Sequence, residues 1–193
     1  MQKKIMKFEI AGIFFVIVFS VFLQNLYELS NRTLIGVMFG SVNDSIWETA
    51  KTILFAYLVW GMIELLCIHP PLHKFAPIKI FTMYFMGISY ILLCLAYSLS
   101  GSSDHTLPEY FIAILCISFS AYLSHRLILS DKKFDNLFAP SLFLLLLFVA
   151  LFCSFTPFPP HNYVFIDRAT QFYGLIPRHI DAGSIALDTL YSL

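Results

Sequence analysis

Asn43-Asp44-Ser45-Ile46-Trp47-Glu48-Thr49-Ala50-Lys51 opens an apolar run that continues to Ile68. Three ionisable side chains in so short a stretch are expensive beside lipid, so they either cap a helix or build a site. The run behind them is long enough to cross a bilayer as a helix, which takes roughly 17 to 25 residues. Four more runs of that kind lie at 8–27, 78–99, 107–129 and 137–155. Short polar breaks separate them: Ser30-Asn31-Arg32, His69-Pro70-Pro71, Ser100-Gly101-Ser102-Ser103-Asp104 and Asp131-Lys132-Lys133. Loops this short make neighbouring helices antiparallel. The expected fold is all-α, a polytopic membrane protein with a bundle of five transmembrane helices over residues 1–155. A Pro-rich outer-face tail, 156–193, is expected to pack on that bundle.

Composition points the same way. Hydrophobic residues make up 59% of the chain and charged residues 12%, against about a quarter charged in soluble domains; mean hydropathy is +0.78. The lipid bilayer is therefore the expected partner. Net charge is zero and no run of Lys or Arg exceeds two, so the basic surface that nucleic acid requires is missing. Cys67, Cys94, Cys116 and Cys153 are dispersed through apolar segments without a Cys-x-x-Cys pair, and read as small hydrophobes. Lys3, Lys4 and Lys7 precede an apolar stretch in the manner of a secretory signal. Glu9 interrupts that stretch and no small-x-small cleavage site follows, so it reads as an uncleaved first span.

Orientation follows from the cations, because cytoplasmic loops carry the excess of Lys and Arg. An inner N-terminus places Lys3, Lys4, Lys7, Lys74, Lys79, Arg126, Lys132 and Lys133 in the cytoplasm, and only Arg32, Lys51, Arg168 and Arg178 outside. The expected location is a bacterial inner membrane, with the C-terminus outside. Trp47, Tyr27, Tyr97 and Tyr110 then fall near the outer headgroups. No internal repeat is visible, which leaves an inverted-repeat transporter without support. Gly36 and Gly40 form a Gly-x-x-x-Gly, but in an expected loop.

On that topology several polar residues share the outer end. Gln24, Asn25 and Glu28 close the first helix, Asn43, Asp44, Glu48 and Lys51 open the second, and His161 and Asp167 follow the fifth. Asp44, Glu48 and Lys51 are spaced i, i+4, i+7 and form one stripe. Carboxylates from two helices with a histidine suit a cation site, or a general acid and base in a buried setting. No His-x-x-x-His, His-Glu-x-x-His or Glu-x-x-His pattern names a metal, and no cofactor is indicated. A structural reading competes. Ser45-x-x-Glu48 is a capping box, Asp44 and Glu48 suit the positive end of the helix dipole, and Lys51 can pair with Glu48. Glu28, near a helix C-terminus, opposes the dipole and is left unexplained. Glu64 lies deep in the second span, so it should face the bundle, hold a proton, or approach the inner interface near His69 and His73. His125 and Arg126 either snorkel or pair with Glu64.

The string 41–51 resembles the hallmark of a family of small bacterial membrane proteins of unknown function, Pro-Val-Asn-Glu-Ser-x-Trp-Glu-His-x-Lys. Asn43, Ser45, Trp47, Glu48 and Lys51 match, Asp44 replaces the glutamate, and Ser41 and Thr49 stand for proline and histidine. Leu26-Tyr27-Glu28 is similar to a second family stretch, with Gln24 in place of a histidine. Pro159-Pro160-His161, Phe165-Ile166-Asp167 and Tyr173-Gly174 are similar to its tail. The resemblance implies no activity, but it singles out the same outer cluster.

The leading expectation is an outward-facing polar pocket that binds or transports a small ligand or cation. Glu28, Asp44 and Glu48 would supply charge, Asn43 and His161 hydrogen bonds, and Lys51 a counter-ion, with Asp167 of the tail returning to the same mouth as a further ligand-binding candidate. The alternatives are an intramembrane hydrolase or transferase acting on a lipid at headgroup level, with Glu48 or Glu28 as base and His161 as acid, and a structural subunit of a membrane complex.

Overall fold

The structure, a computed structural model, describes residues 2–99, 106–132, 134–168 and 170–175. The expected loop 100–104, His105, Lys133, Arg178 and His179 lie outside the described residues. Six α-helices follow one another: α1 (Gln2–Leu29), α2 (Leu34–Phe39), α3 (Ile46–Ile68), α4 (Leu72–Ser98), α5 (Thr106–Leu129) and α6 (Phe138–Phe155). All but α2 are long and apolar enough to cross a membrane. The shortest of these, α6, has 18 residues and extends about 27 Å at 1.5 Å per residue, close to the hydrocarbon thickness of about 30 Å. The chain is a multi-pass, all-helical membrane protein, and no strand occurs among the described residues.

The helices α1, α3, α4 and α5 form a closed ring of neighbours, α1 on α3, α3 on α4, α4 on α5 and α5 on α1, and α6 leans against α4. Its Phe148 and Phe152 also reach Phe55 of α3. The most enclosed element is α3, in which every residue from Ala50 to Tyr57 is buried. The N-terminal half of α3 is surrounded by other helices and its C-terminal half exposes Met62 and Leu66, so neither half needs a polar face and the apolar pattern is continuous rather than periodic. The outer faces of α1 and α6 expose Phe14, Val18, Phe143 and Leu146. In a bilayer that surface is solvated by lipid.

Helix ends follow local chemistry. The hydroxyl of Ser45 accepts from the Glu48 amide at 3.3 Å and starts α3. His69, in the left-handed region at φ 54°, ends it, and its amide closes on Leu65 O before Pro70 blocks continuation. Two boundaries differ from expectation. First, α4 begins at Leu72 rather than near Ile78, with Pro77 inside the helix. Placed in the second turn, Pro77 forfeits one backbone hydrogen bond without ending the helix, and Lys74 becomes a helical residue instead of a loop cation. Second, the stretch after α1 is not loop alone, because α2 folds back onto α1. A Cβ at Gly40 would stand 2.9 Å from Tyr27 N and one at Gly36 2.8 Å from Tyr27 Cα, so the Gly-x-x-x-Gly is what permits the contact.

Candidate functional site

Two buried ionic clusters occupy opposite ends of the bundle. The first is at the start of α3. Glu48 and Lys51 are 2% and 0% exposed, and Lys51 Nζ lies 2.6 Å from Glu48 Oε2. Lys51 also donates to Val37 O at 3.1 Å and to Thr156 Oγ1 at 2.9 Å. Thr156 in turn stands 2.9 Å from Glu48 Oε1, and the Val42 amide donates to Glu48 Oε2. The expected capping box is therefore half formed: Ser45 caps Glu48, but the Glu48 carboxylate is turned to Lys51, Thr156 and Val42. The Ser45 amide is taken instead by Asn43 Oδ1. One carboxylate and one ammonium balance here, and every polar atom of the pair has a partner.

The tail returns to this end. Asp167, 2% exposed, accepts from the Asp44 amide through Oδ1 at 2.8 Å, and from the Thr170 amide and hydroxyl through Oδ2. Asn43 Nδ2 donates to Gly174 O at 3.0 Å. Trp47 stacks on Phe152 with centroids 4.3 Å apart and meets Phe165 of the tail at 4.7 Å, so its ring is a packing hub between α3, α6 and the tail. Arg168 forms a two-pronged ion pair with Glu109 at the start of α5. Of the remaining candidates, Asp44 exposes its side chain and Glu28 pairs with Arg32 on the surface at 3.0 Å. His161 is exposed, with its ring against Tyr173. The structure thus brings Asn43, Asp44, Glu48, Lys51 and Asp167 into one hydrogen-bonded region, while the side chains of Glu28 and His161 engage other partners.

The second cluster lies near the N-terminal ends of α1 and α4 and the C-terminal ends of α3 and α5, about 20 Å along α3 from Lys51 at 1.5 Å per residue. Lys79 Nζ, buried, sits 2.8 Å from Glu9 Oε1 and 2.6 Å from Glu64 Oε2. Ser124 Oγ donates to Glu9 Oε1 at 2.6 Å. Lys79 also lies over the Tyr57 and Phe75 rings, and Tyr57 OH is hydrogen-bonded to Thr82 Oγ1 at 2.8 Å. Glu64 is 0% exposed. Its contact with Lys79 is an ion pair without hydrogen-bond geometry, and Oε1 has no hydrogen-bond partner. Two carboxylates here face one ammonium.

A family model for a family of unknown function matches residues 1–175. The chain belongs to DUF6512. No curated protein and no solved structure matches it.

The second cluster of this DUF6512 protein is what sequence reasoning missed. The sequence marks Lys79 only as a cation on the cytoplasmic side and Glu9 only as a break in a signal-like stretch, and it leaves Glu64 to face the bundle, hold a proton or approach the inner interface, with His125 or Arg126 as a partner. A usable signal existed, since Glu9, Glu64 and Lys79 are isolated ionisable residues inside apolar runs, where unpaired charge is costly. Among the described residues no three His, Cys, Asp or Glu side chains converge in a way that could hold a metal ion. The groove between α3, α4 and α5 beside Tyr90 is too narrow for a water molecule.

Proposed function

We propose that this DUF6512 protein binds a small cation inside its helical bundle, at Glu9, Lys79 and Glu64, and that this binding is its function in a bacterial inner membrane. One observation carries the reading: two buried carboxylates share a single ammonium, and one carboxylate oxygen is left without a donor. An uncompensated charge within a bilayer costs several kcal/mol, so the surplus negative charge calls for a positive partner. The outer cluster fits a different role. Glu48 and Lys51 are charge-balanced and saturated by Thr156, Val37 and Val42, which favours a clasp holding α6 and α2 on α3 over an open pocket for a ligand. The cytoplasmic side is assigned to the end bearing the second cluster, because the exposed Lys3, Lys4, Lys7, Arg126 and Lys132 gather there.

The test is the melting temperature of the purified full-length protein in detergent, measured across pH and in Na⁺, K⁺ and Li⁺, for the parent and for Glu64→Gln. The expected result is a response of the parent to pH or to one of these metal cations that Glu64→Gln abolishes. A parent whose pH profile and ion response both match those of Glu64→Gln overturns the proposal.

A further inference from the structure

We infer that the cation is a proton and that Glu64 is the residue that holds it, so that the cluster exists as neutral Glu64 beside a Glu9–Lys79 ion pair. This rests on the cation site proposed above and identifies its ligand. The charged and titratable groups facing Glu64 come from three helices: Glu9 from α1, Lys79 from α4 and Tyr57 from α3 itself, with Tyr57 engaged by Thr82. From α5 the cluster receives the uncharged Ser124 hydroxyl, next to which His125 keeps a buried, unpartnered Nδ1. At the rim, Lys4 is engaged by Cys67 O and is no counter-ion to Glu64.

Charge counting leaves one negative charge to neutralise. A hard metal cation takes six or more oxygen ligands at short range, and here the place between the carboxylates is already filled by the Lys79 ammonium, which repels a second cation. A proton requires no coordination shell. It converts a carboxylate into a neutral carboxyl, which costs far less to bury.

Between the two carboxylates the donors decide. Glu9 Oε1 receives both Lys79 at 2.8 Å and Ser124 at 2.6 Å, and donors of this kind stabilise the ionised form. Glu64 has the ammonium contact at one oxygen and nothing at the other, so it loses least by taking the proton. The step is a simple association, a proton from the aqueous phase adding to the Glu64 carboxylate.

The experiment is infrared spectroscopy of the full chain in phospholipid bilayers, reading the C=O stretch of a protonated carboxyl at neutral pH. The parent is expected to show the band, Glu64→Gln to lose it, and Glu64→Asp to shift it while Glu9→Asp leaves its frequency unchanged. Glu9→Gln is also expected to lose it, because removing one carboxylate balances the charge and frees Glu64 to ionise. A merely structural Glu64 predicts none of these changes. Absence of the band in a parent whose melting responds to Na⁺, K⁺ or Li⁺ overturns the proton while keeping the cation site. Absence of both overturns the site as well. A band that shifts in Glu9→Asp and not in Glu64→Asp overturns Glu64 as the holder. Because the aspartate variants keep the charge, they give a readout even where Glu64→Gln does not fold.

Discussion

Thr156 Oγ1 donates to Glu48 Oε1 at 2.9 Å across 108 residues, joining the C-terminal end of α6 to the N-terminal end of α3. The same hydroxyl accepts from Lys51, so a single threonine closes a ring with both members of a buried ion pair. Removing one member of such a pair strands a charge, typically at about 3–5 kcal/mol, whereas replacing both with apolar or neutral groups is often tolerated. Lys51→Met is therefore expected to lower stability by about that amount, and Glu48→Gln with Lys51→Met together by less than the sum of the two single changes. Melting of the three variants in detergent checks this. Strict additivity would show that the pair is not coupled.

At the other end of α3 the balance differs, since Lys79 serves two carboxylates. Lys79→Met leaves both Glu9 and Glu64 without a counter-ion and is expected to cost about 3–5 kcal/mol. Glu64→Gln removes the surplus charge and is expected to stay within about 1 kcal/mol of the parent or exceed it. The sign of the pH dependence follows from proton counting. Over the pH range in which the native state still holds a proton that the unfolded glutamate has already released, stability falls as pH rises. The parent should melt lower at alkaline than at neutral pH, and Glu64→Gln should show a flatter profile. Equal losses in Lys79→Met and Glu64→Gln would mean that the second carboxylate is not surplus.

The two ends of α3 differ in how much of their chemistry is local in sequence. Hydropathy locates the five spans because lipid imposes a length and a composition on each. The Ser45 cap is legible because it is local, its acceptor and donor being three residues apart. The destination of the Glu48 carboxylate was only partly legible. Lys51 is nearby in sequence, but the Thr156 hydroxyl arrives from the end of α6. The Glu9–Lys79–Glu64 cluster is legible only as isolated ionisable residues in apolar runs, not as a set of contacts, for the same reason. Its contacts span 70 residues from Glu9 to Lys79 and 115 from Glu9 to Ser124, and nothing periodic announces them.

The packing of α2 depends on the absence of two side chains. A Cβ on Gly40 would lie 2.7 Å from Gly36 O and 2.9 Å from Tyr27 N, both backbone atoms that cannot swing aside. Gly40→Ala is expected to lift α2 from α1 and to disturb the Val37 carbonyl that receives Lys51, lowering stability by about 1–3 kcal/mol, the usual cost of overpacking. Gly61→Ala serves as the control, because nothing lies within 4 Å of a Cβ there and alanine is the better helix former. Comparable losses at both positions would remove close approach as the explanation.

Asp167 fixes the tail to the start of α3 through the Asp44 amide, and fixes the tail's own turn through Thr170. Being buried, its carboxylate cannot be replaced by water without loosening Phe165 from Trp47 as well. Hydrogen bonds to a charged group contribute about 1.5–3 kcal/mol. Asp167→Ala is therefore expected to free the tail locally, with α1, α4 and α5 intact. The measurement is amide hydrogen exchange of the full-length protein. The amides of Asp44 and Thr170 should lose protection in Asp167→Ala, while those around Met83 and Met86 in the core keep theirs. Loss of protection throughout the bundle would instead make Asp167 part of the global fold, and unchanged exchange at Asp44 would show that the tail is held by Trp47 and Asn43 without it.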